Sequence, residues 1–147
     1  MDKDLVLGID LGTTNSLVAY VAGDDGKPSI VRDGEGAALS VPSAVSFSEN
    51  GVLVGEAAVE RAPFAPEVTV LSVKRLMGQG LADLTDAARR HFSVPLVEEE
   101  RKLVKLQLGD RALPPQEVSS HILRELKRRA EAGLGQPVSK AVVTVPA

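Results

Sequence analysis

Leu5-Val-Leu-Gly-Ile-Asp10, running on into Leu11-Gly-Thr-Thr14, is the stretch whose reading decides the fold. An apolar run closes on an acidic residue at Asp10, and a glycine turn at Gly12 leads to two hydroxyls, Thr13 and Thr14. Ser16-Leu-Val-Ala-Tyr-Val21 reads as a second strand, so the loop joins two strands of a hairpin. That order brings backbone N–H groups and side-chain hydroxyls to the mouth of a sheet, where a phosphate can lie against them. Asp10 can hold a hydrated Mg²⁺ beside the phosphate, because Mg²⁺ keeps waters and takes only one or two carboxylates. The stretch reads as a seat for a nucleoside triphosphate.

The loop lacks the G-x-x-x-x-G-K-[ST] spacing of a Walker loop and the G-x-G-x-x-G of a dinucleotide fingerprint. A hairpin loop, rather than a helix N-terminus, does the cradling. The plainer alternative is an ordinary turn in which Asp10 and the threonines bond to their own backbone.

The 147 residues suffice for one domain with a real core. Seventeen basic against twenty acidic side chains give a net charge of −3, which argues against a nucleic-acid surface. The chain has no cysteine, which excludes disulfides, thiolate zinc sites and cysteine nucleophiles and suits a reducing cytoplasm. The charged start, Met1-Asp-Lys-Asp4, does not resemble a signal peptide, and no apolar run approaches a membrane span. A cytoplasmic α/β domain is expected.

Further along, Gly23-Asp-Asp-Gly26 marks a turn and Ser29-Ile-Val-Arg32 a short strand, broken at Asp33-Gly-Glu-Gly36. Val41-Pro-Ser-Ala-Val-Ser-Phe47 reads as one extended segment, returning through Glu49-Asn-Gly51 into Val52-Leu-Val-Gly55. Helix is expected from Glu56 to Pro63, then from a Thr69 cap through Val70, Val73, Leu76 and Met77 to Gly78, and again over Leu81 to His91. Pro95-Leu-Val97 and Leu103-Val-Lys-Leu-Gln-Leu108 read as strands. Pro114 and Pro115 open the clearest helix, with Val118, Ile122, Leu126 and Ala130 at four-residue spacing and Gly133 where a C-cap belongs. Lys127-Arg-Arg129 is then a solvated last turn that complements the helix dipole. Ala141-Val-Val-Thr-Val145 reads as a fully buried strand, and a crossover normally follows such a strand, so the chain reads as a piece of a larger domain. His91 and His121 have no metal-like partner spacing, and Glu98-Glu-Glu100 reads as a solvated turn.

Gly8-Ile-Asp-Leu-Gly-Thr-Thr-Asn-Ser16, Val41-Pro-Ser-Ala-Val45, Lys74-Arg-Leu-Met-Gly78 and Val143-Thr-Val-Pro-Ala147 together resemble, in order and spacing, the N-terminal part of the ATPase domain of DnaK-type heat-shock chaperones. The block from Ser72 to Gly78 with Leu81-Ala-Asp-Leu84 looks closest to the bacterial branch that serves iron–sulphur cluster assembly. The resemblance implies an α/β, actin-like (ribonuclease-H-like) ATPase fold, of which residues 1–147 form part of the first lobe of the nucleotide-binding domain. Residues 1–36 and 114–147 would build an inner sheet, with strands near 5–10, 16–21, 29–32 and 141–145. Residues 37–113 would build an outer subdomain.

Carried over by position, the resemblance gives Asp10 the hydrated metal and makes Gly12, Thr13, Thr14 and Asn15 the first phosphate loop. Lys74 matches the lysine that reaches the γ-phosphate and positions the attacking water, so Lys74 and Thr13 are the expected catalytic residues. Pro146 matches the hinge proline that passes the nucleotide state onward. Implied cofactors are ATP or ADP with Mg²⁺. Implied partners are the remaining lobe, client polypeptides, a J-domain co-chaperone and a nucleotide-exchange factor, with no nucleic acid and no membrane. A second phosphate loop, the adenosine pocket, a second metal-side aspartate and a catalytic glutamate would lie beyond Ala147, so tight ATP binding or turnover by these residues alone is not expected. Two other readings stay open: a small-molecule kinase of the actin-like superfamily, and a non-catalytic filament or interaction module.

Overall fold

The computed structural model describes residues 5–21, 26–98 and 102–145. Strand β1 (Val6–Asp10) alternates, burying Leu7 and Ile9 while Val6, Gly8 and Asp10 face out. It pairs antiparallel with β2 (Asn15–Val21), Asp10 opposite Leu17. Two short strands, β3 (Pro28–Ile30) and β4 (Ser40–Pro42), both pair antiparallel with β2, at Ala19–Val21 and at Asn15–Leu17. Ser40–Pro42 thus joins the inner sheet, and the segment read as one strand over 41–47 bends at Ser43 into a different sheet.

That second sheet holds β5 (Ala44–Ser48) and β6 (Gly51–Val54), the hairpin expected from Glu49-Asn-Gly51. Helix α1 (Glu56–Arg61) follows, and β7 (Thr69–Leu71) adds to the other side of β5. The helix expected from a Thr69 cap is therefore a strand, followed by a single 3-10 turn over Val73–Leu76. Thr69 caps nothing. Its hydroxyl donates to the Ala65 carbonyl at 2.7 Å and lies 2.8 Å from Ser46 Oγ, fixing it as a sheet residue. Ser72 sits in the left-handed region (φ 57°), which breaks any helix through this point.

The helix expected over 81–91 divides into a 3-10 turn at Leu81–Asp83 and α2 (Asp86–Arg90). Leu84 ends the first, and Thr85 caps the second, accepting from the Ala88 N–H at 3.2 Å. A third sheet follows, β8 (Leu96–Glu98), β9 (Val104–Leu108) and β10 (Arg111–Leu113), all antiparallel.

Helix α3 (Pro115–Leu134) buries Val118, Ile122, Leu126 and Ala130 along the expected stripe, each large apolar side chain contributing roughly 1.5–3 kcal/mol. It packs on β2, the β5–β6 hairpin, β9 and the 73–76 turn, so one core joins all the layers. Its C-cap is Gly135, not Gly133. Gly133 lies within the helix, where a Cβ would stand 2.7 Å from the Arg32 carbonyl oxygen. Nor does Lys127-Arg-Arg129 form the last turn. Arg128 and Arg129 both reach Glu125 at 2.7 Å, and Arg129 also reaches Glu56 on α1 at 3.0 Å.

The final strand, β11 (Lys140–Val143), runs parallel to β1 and ends the sheet order β11-β1-β2-β3. Expected to be fully buried, it is an edge strand among the described residues, with Val142 68% exposed.

Candidate functional site

Asp10 closes β1 with its side chain on the outward face, because the alternation that buries Leu7 and Ile9 turns it away from the core. Its Oδ1 accepts a 2.8 Å hydrogen bond from the Thr144 hydroxyl, just past β11. The Thr144 N–H in turn donates to the Ile9 carbonyl at 3.0 Å. The parallel pairing of β1 and β11 thereby brings two sequence-distant motifs to one end of the inner sheet.

After Asp10, Leu11 is buried and anchors the loop. The chain then turns so tightly at Gly12 that a Cβ there would lie 2.0 Å from the Asn15 carbonyl oxygen. Only glycine fits. Thr13 is half-buried, while Thr14 and Asn15 are exposed. Among the described residues, the N–H groups of Gly12, Thr13 and Thr14, the Thr13 and Thr14 hydroxyls and the Asn15 amide have no hydrogen-bond partner in the chain. The threonines and Asp10 thus do not make the self-satisfied turn that was the plainer alternative.

The loop is held from behind. Ser43, buried at the bend between β4 and β5, donates its hydroxyl to the Gly12 carbonyl at 2.8 Å. The hydroxyl of buried Ser16 lies 2.9 Å from Ser43 Oγ. A hydroxyl has one proton. Since that of Ser43 goes to Gly12, the Ser16 hydroxyl is the donor in the second bond. Ser43 also uses its backbone, its N–H donating to the Thr14 carbonyl at 2.8 Å and its carbonyl accepting from the Ser72 N–H at 3.1 Å.

Ser72 opens the 3-10 turn that carries Lys74. Val73 and Leu76 of that turn are buried, which anchors it on the core, and Lys74 is half-buried with no partner among the described residues. The structure thus brings Asp10 and Gly12–Asn15 together and ties the Lys74 turn to them through Ser43. Pro146 lies outside the described residues, as do Glu99 and Glu100 of the acidic run.

Thr144, Ser43, Ser16 and Ser72 are the residues that motif reading left without a role. All four lie inside recognised motifs, which was the available signal. A cavity of 780 Å³, lined by Leu76, Gln79, Val104 and Pro115 among others, contains none of the loop residues.

No group of three or more metal-ligating side chains exists among the described residues. Asp10 offers a single outward carboxylate with one oxygen already oriented, which fits a hydrated Mg²⁺ and not a protein-built cage. His121 packs edge-on against Phe47 at 5.5 Å, and burial, then the Arg124 charge, push its pKa down. No helix among the described residues is long and apolar enough to cross a membrane.

Together these features define a mixed α/β domain whose first hairpin loop presents unpaired donors beside a lone carboxylate. Residues 6–147 match the family model described as Hsp70 protein, and the chain belongs to the Hsp70 family. Membership supports a chaperone ATPase domain of actin-like fold, in a family that binds ATP or ADP and works with client polypeptides and co-chaperones. The mixed α/β architecture is consistent with that fold.

Proposed function

We propose that this chain is the phosphate-binding side of the first lobe of a chaperone ATPase, which couples ATP hydrolysis to binding and release of client polypeptides. The observation that carries the reading is the set of donors at Gly12, Thr13, Thr14, Asn15 and Lys74, all without acceptors among the described residues, on a loop and a turn braced by one residue. Donors fixed in advance stabilise a polyanion without reorganising, which is what phosphoryl transfer asks of a protein. Asp10 would hold a hydrated Mg²⁺, which would supply charge neutralisation beside the phosphates. Thr13 and Thr14 donate to the phosphates, while Lys74 meets the terminal phosphate and orients the attacking water. The outer subdomain around β5–β10 positions Lys74 against the inner sheet. By the family resemblance Pro146, two positions after Thr144 in the sequence, is the route by which nucleotide state leaves the lobe.

The test is ATP turnover by the two-lobed domain that contains this lobe. Thr13→Ala and Lys74→Ala each lower turnover by about 10²-fold, the scale set by losing one preorganised donor, with unchanged thermal midpoints. Unimpaired turnover in both variants would overturn the assignment.

A further inference from the structure

Among the described residues, Ser43 bonds to both the Gly12–Thr14 loop and Ser72, which opens the Lys74-bearing turn. Its backbone alone would suffice for the bend between β4 and β5, since its N–H holds Thr14 and its carbonyl holds Ser72. The hydroxyl does something separate. It is 3% exposed at the level of the residue, and its proton is committed to the Gly12 carbonyl.

The peptide joining Gly12 to Thr13 is trans, because the described residues contain no cis bond. In a planar trans peptide the C=O and the following N–H point in opposite directions. Pinning the Gly12 oxygen back onto Ser43 therefore turns the Thr13 N–H the other way, to the side where it has no acceptor among the described residues. Without the pin, that peptide can rotate, and glycine at its N-terminal side offers little resistance. Ser16 donates into Ser43 Oγ, and a chain of hydroxyls polarises its members cooperatively. The relay is fully buried and leaves no polar side-chain atom unsatisfied.

We propose that Ser43 is a positioning residue of the phosphate site. Its hydroxyl aims the Thr13 N–H outward, and its carbonyl sets the Lys74 turn at a fixed offset from the loop. The proposal rests on Gly12–Asn15 and Lys74 being the phosphate seat, and the experiment separates the two.

The two-lobed domain that contains this lobe is titrated with Mg-ATP while its backbone amide resonances are followed by NMR, as wild type and as Ser43→Ala, Ser43→Thr and Ser16→Ala. In the wild type the Thr13 amide moves most. Ser43→Ala binds about tenfold more weakly, as expected for losing one oriented hydrogen bond, and its Thr13 amide no longer leads the response. Ser43→Thr, which keeps the hydroxyl, restores both. A role confined to stability would lower the unfolding midpoint yet leave the affinity and the Thr13 response of the folded protein unchanged, and that result overturns the proposal. No response at Gly12–Asn15 in the wild type would instead overturn the phosphate seat and take this role with it. Should Ser43→Ala not fold, Ser16→Ala decides: weakening of about threefold, from a less polarised Ser43 hydroxyl, supports the relay, and wild-type affinity rejects it.

Discussion

Thr144 donates its hydroxyl to Asp10 Oδ1 at 2.8 Å across 134 positions of sequence, linking the end of β11 to the end of β1. A carboxylate held through one oxygen presents the other in a defined direction, which suits a cation that demands near-octahedral geometry. Thr144→Val keeps the shape and removes the donor. Mg²⁺-dependent ATP binding should weaken roughly tenfold, the effect of one hydrogen bond to a charged group. Affinity measured without Mg²⁺ should not change. Equal losses with and without the ion would mean that Thr144 acts on the loop and not on Asp10.

Gly12→Ala forces the loop open, because the new Cβ would meet the Asn15 carbonyl at 2.0 Å and backbone cannot yield as a side-chain tip can. Loss of stability of about 1–3 kcal/mol, the usual scale of local backbone strain, is expected in chemical denaturation. Nucleotide binding should be lost in the folded variant. Retained affinity would show that the tight turn is not required for phosphate recognition.

Gly133→Ala sets two effects against each other. Alanine in a helix interior gains about 1 kcal/mol over glycine by propensity. Here the added Cβ would stand 2.7 Å from the Arg32 carbonyl, and also 3.3 Å from Val31 Cγ1. Overpacking costs typically 1–3 kcal/mol, so the clash wins and the midpoint of unfolding falls. A rise in stability would mean that α3 can shift away from the inner sheet at no cost.

The hydrogen bond from Arg128, followed by that from Arg129, outweighs burial and brings the Glu125 pKa down to about 2. Burial of Glu56 opposes ionisation, but its bond from Arg129 prevails and its pKa is also lowered. Depressed carboxylate pKa values stabilise the fold above the unfolded value near 4.5. That contribution is lost as pH falls from about 4.5 toward about 2. Both arginines remain partly in solvent, so the amount is on the order of 1 kcal/mol. Arg129→Met should therefore flatten the acid limb of a stability–pH curve while leaving the neutral region within about 1 kcal/mol of wild type. An unchanged acid limb would deny the bridge between α1 and α3 any energetic role.

How far the fold was legible depended on whether the deciding contact was local. The β1–β2 hairpin and α3 could be read because Leu7/Ile9 and Val118/Ile122/Leu126 carry clean periods of two and of about four. Residues 69–77 could not, since Val70, Val73, Leu76 and Met77 fit a helix equally well. Their strand character comes from pairing Thr69–Leu71 with Ala44–Ser46, a long-range fact. The same holds for β11, whose Val142 is apolar enough for a core but has no neighbour on its open side among the described residues. At the site, Asp10, Gly12 and the threonines were legible as donors and an acceptor in order. Ser43 was not, because its role lies in bonds to Gly12 and Ser72 that no local pattern reveals.

The central claim is that Mg-nucleotide phosphates sit against Asp10 and Gly12–Asn15. Replacing Mg²⁺ by paramagnetic Mn²⁺ tests it directly, because the ion broadens backbone amide resonances in proportion to their closeness. Mn-ATP added to the two-lobed domain that contains this lobe should erase the signals of Asp10 to Asn15 and Thr144 first, then those of Ser72 to Lys74, with excess EDTA restoring them. Broadening centred elsewhere, or spread evenly over the protein, would contradict the account.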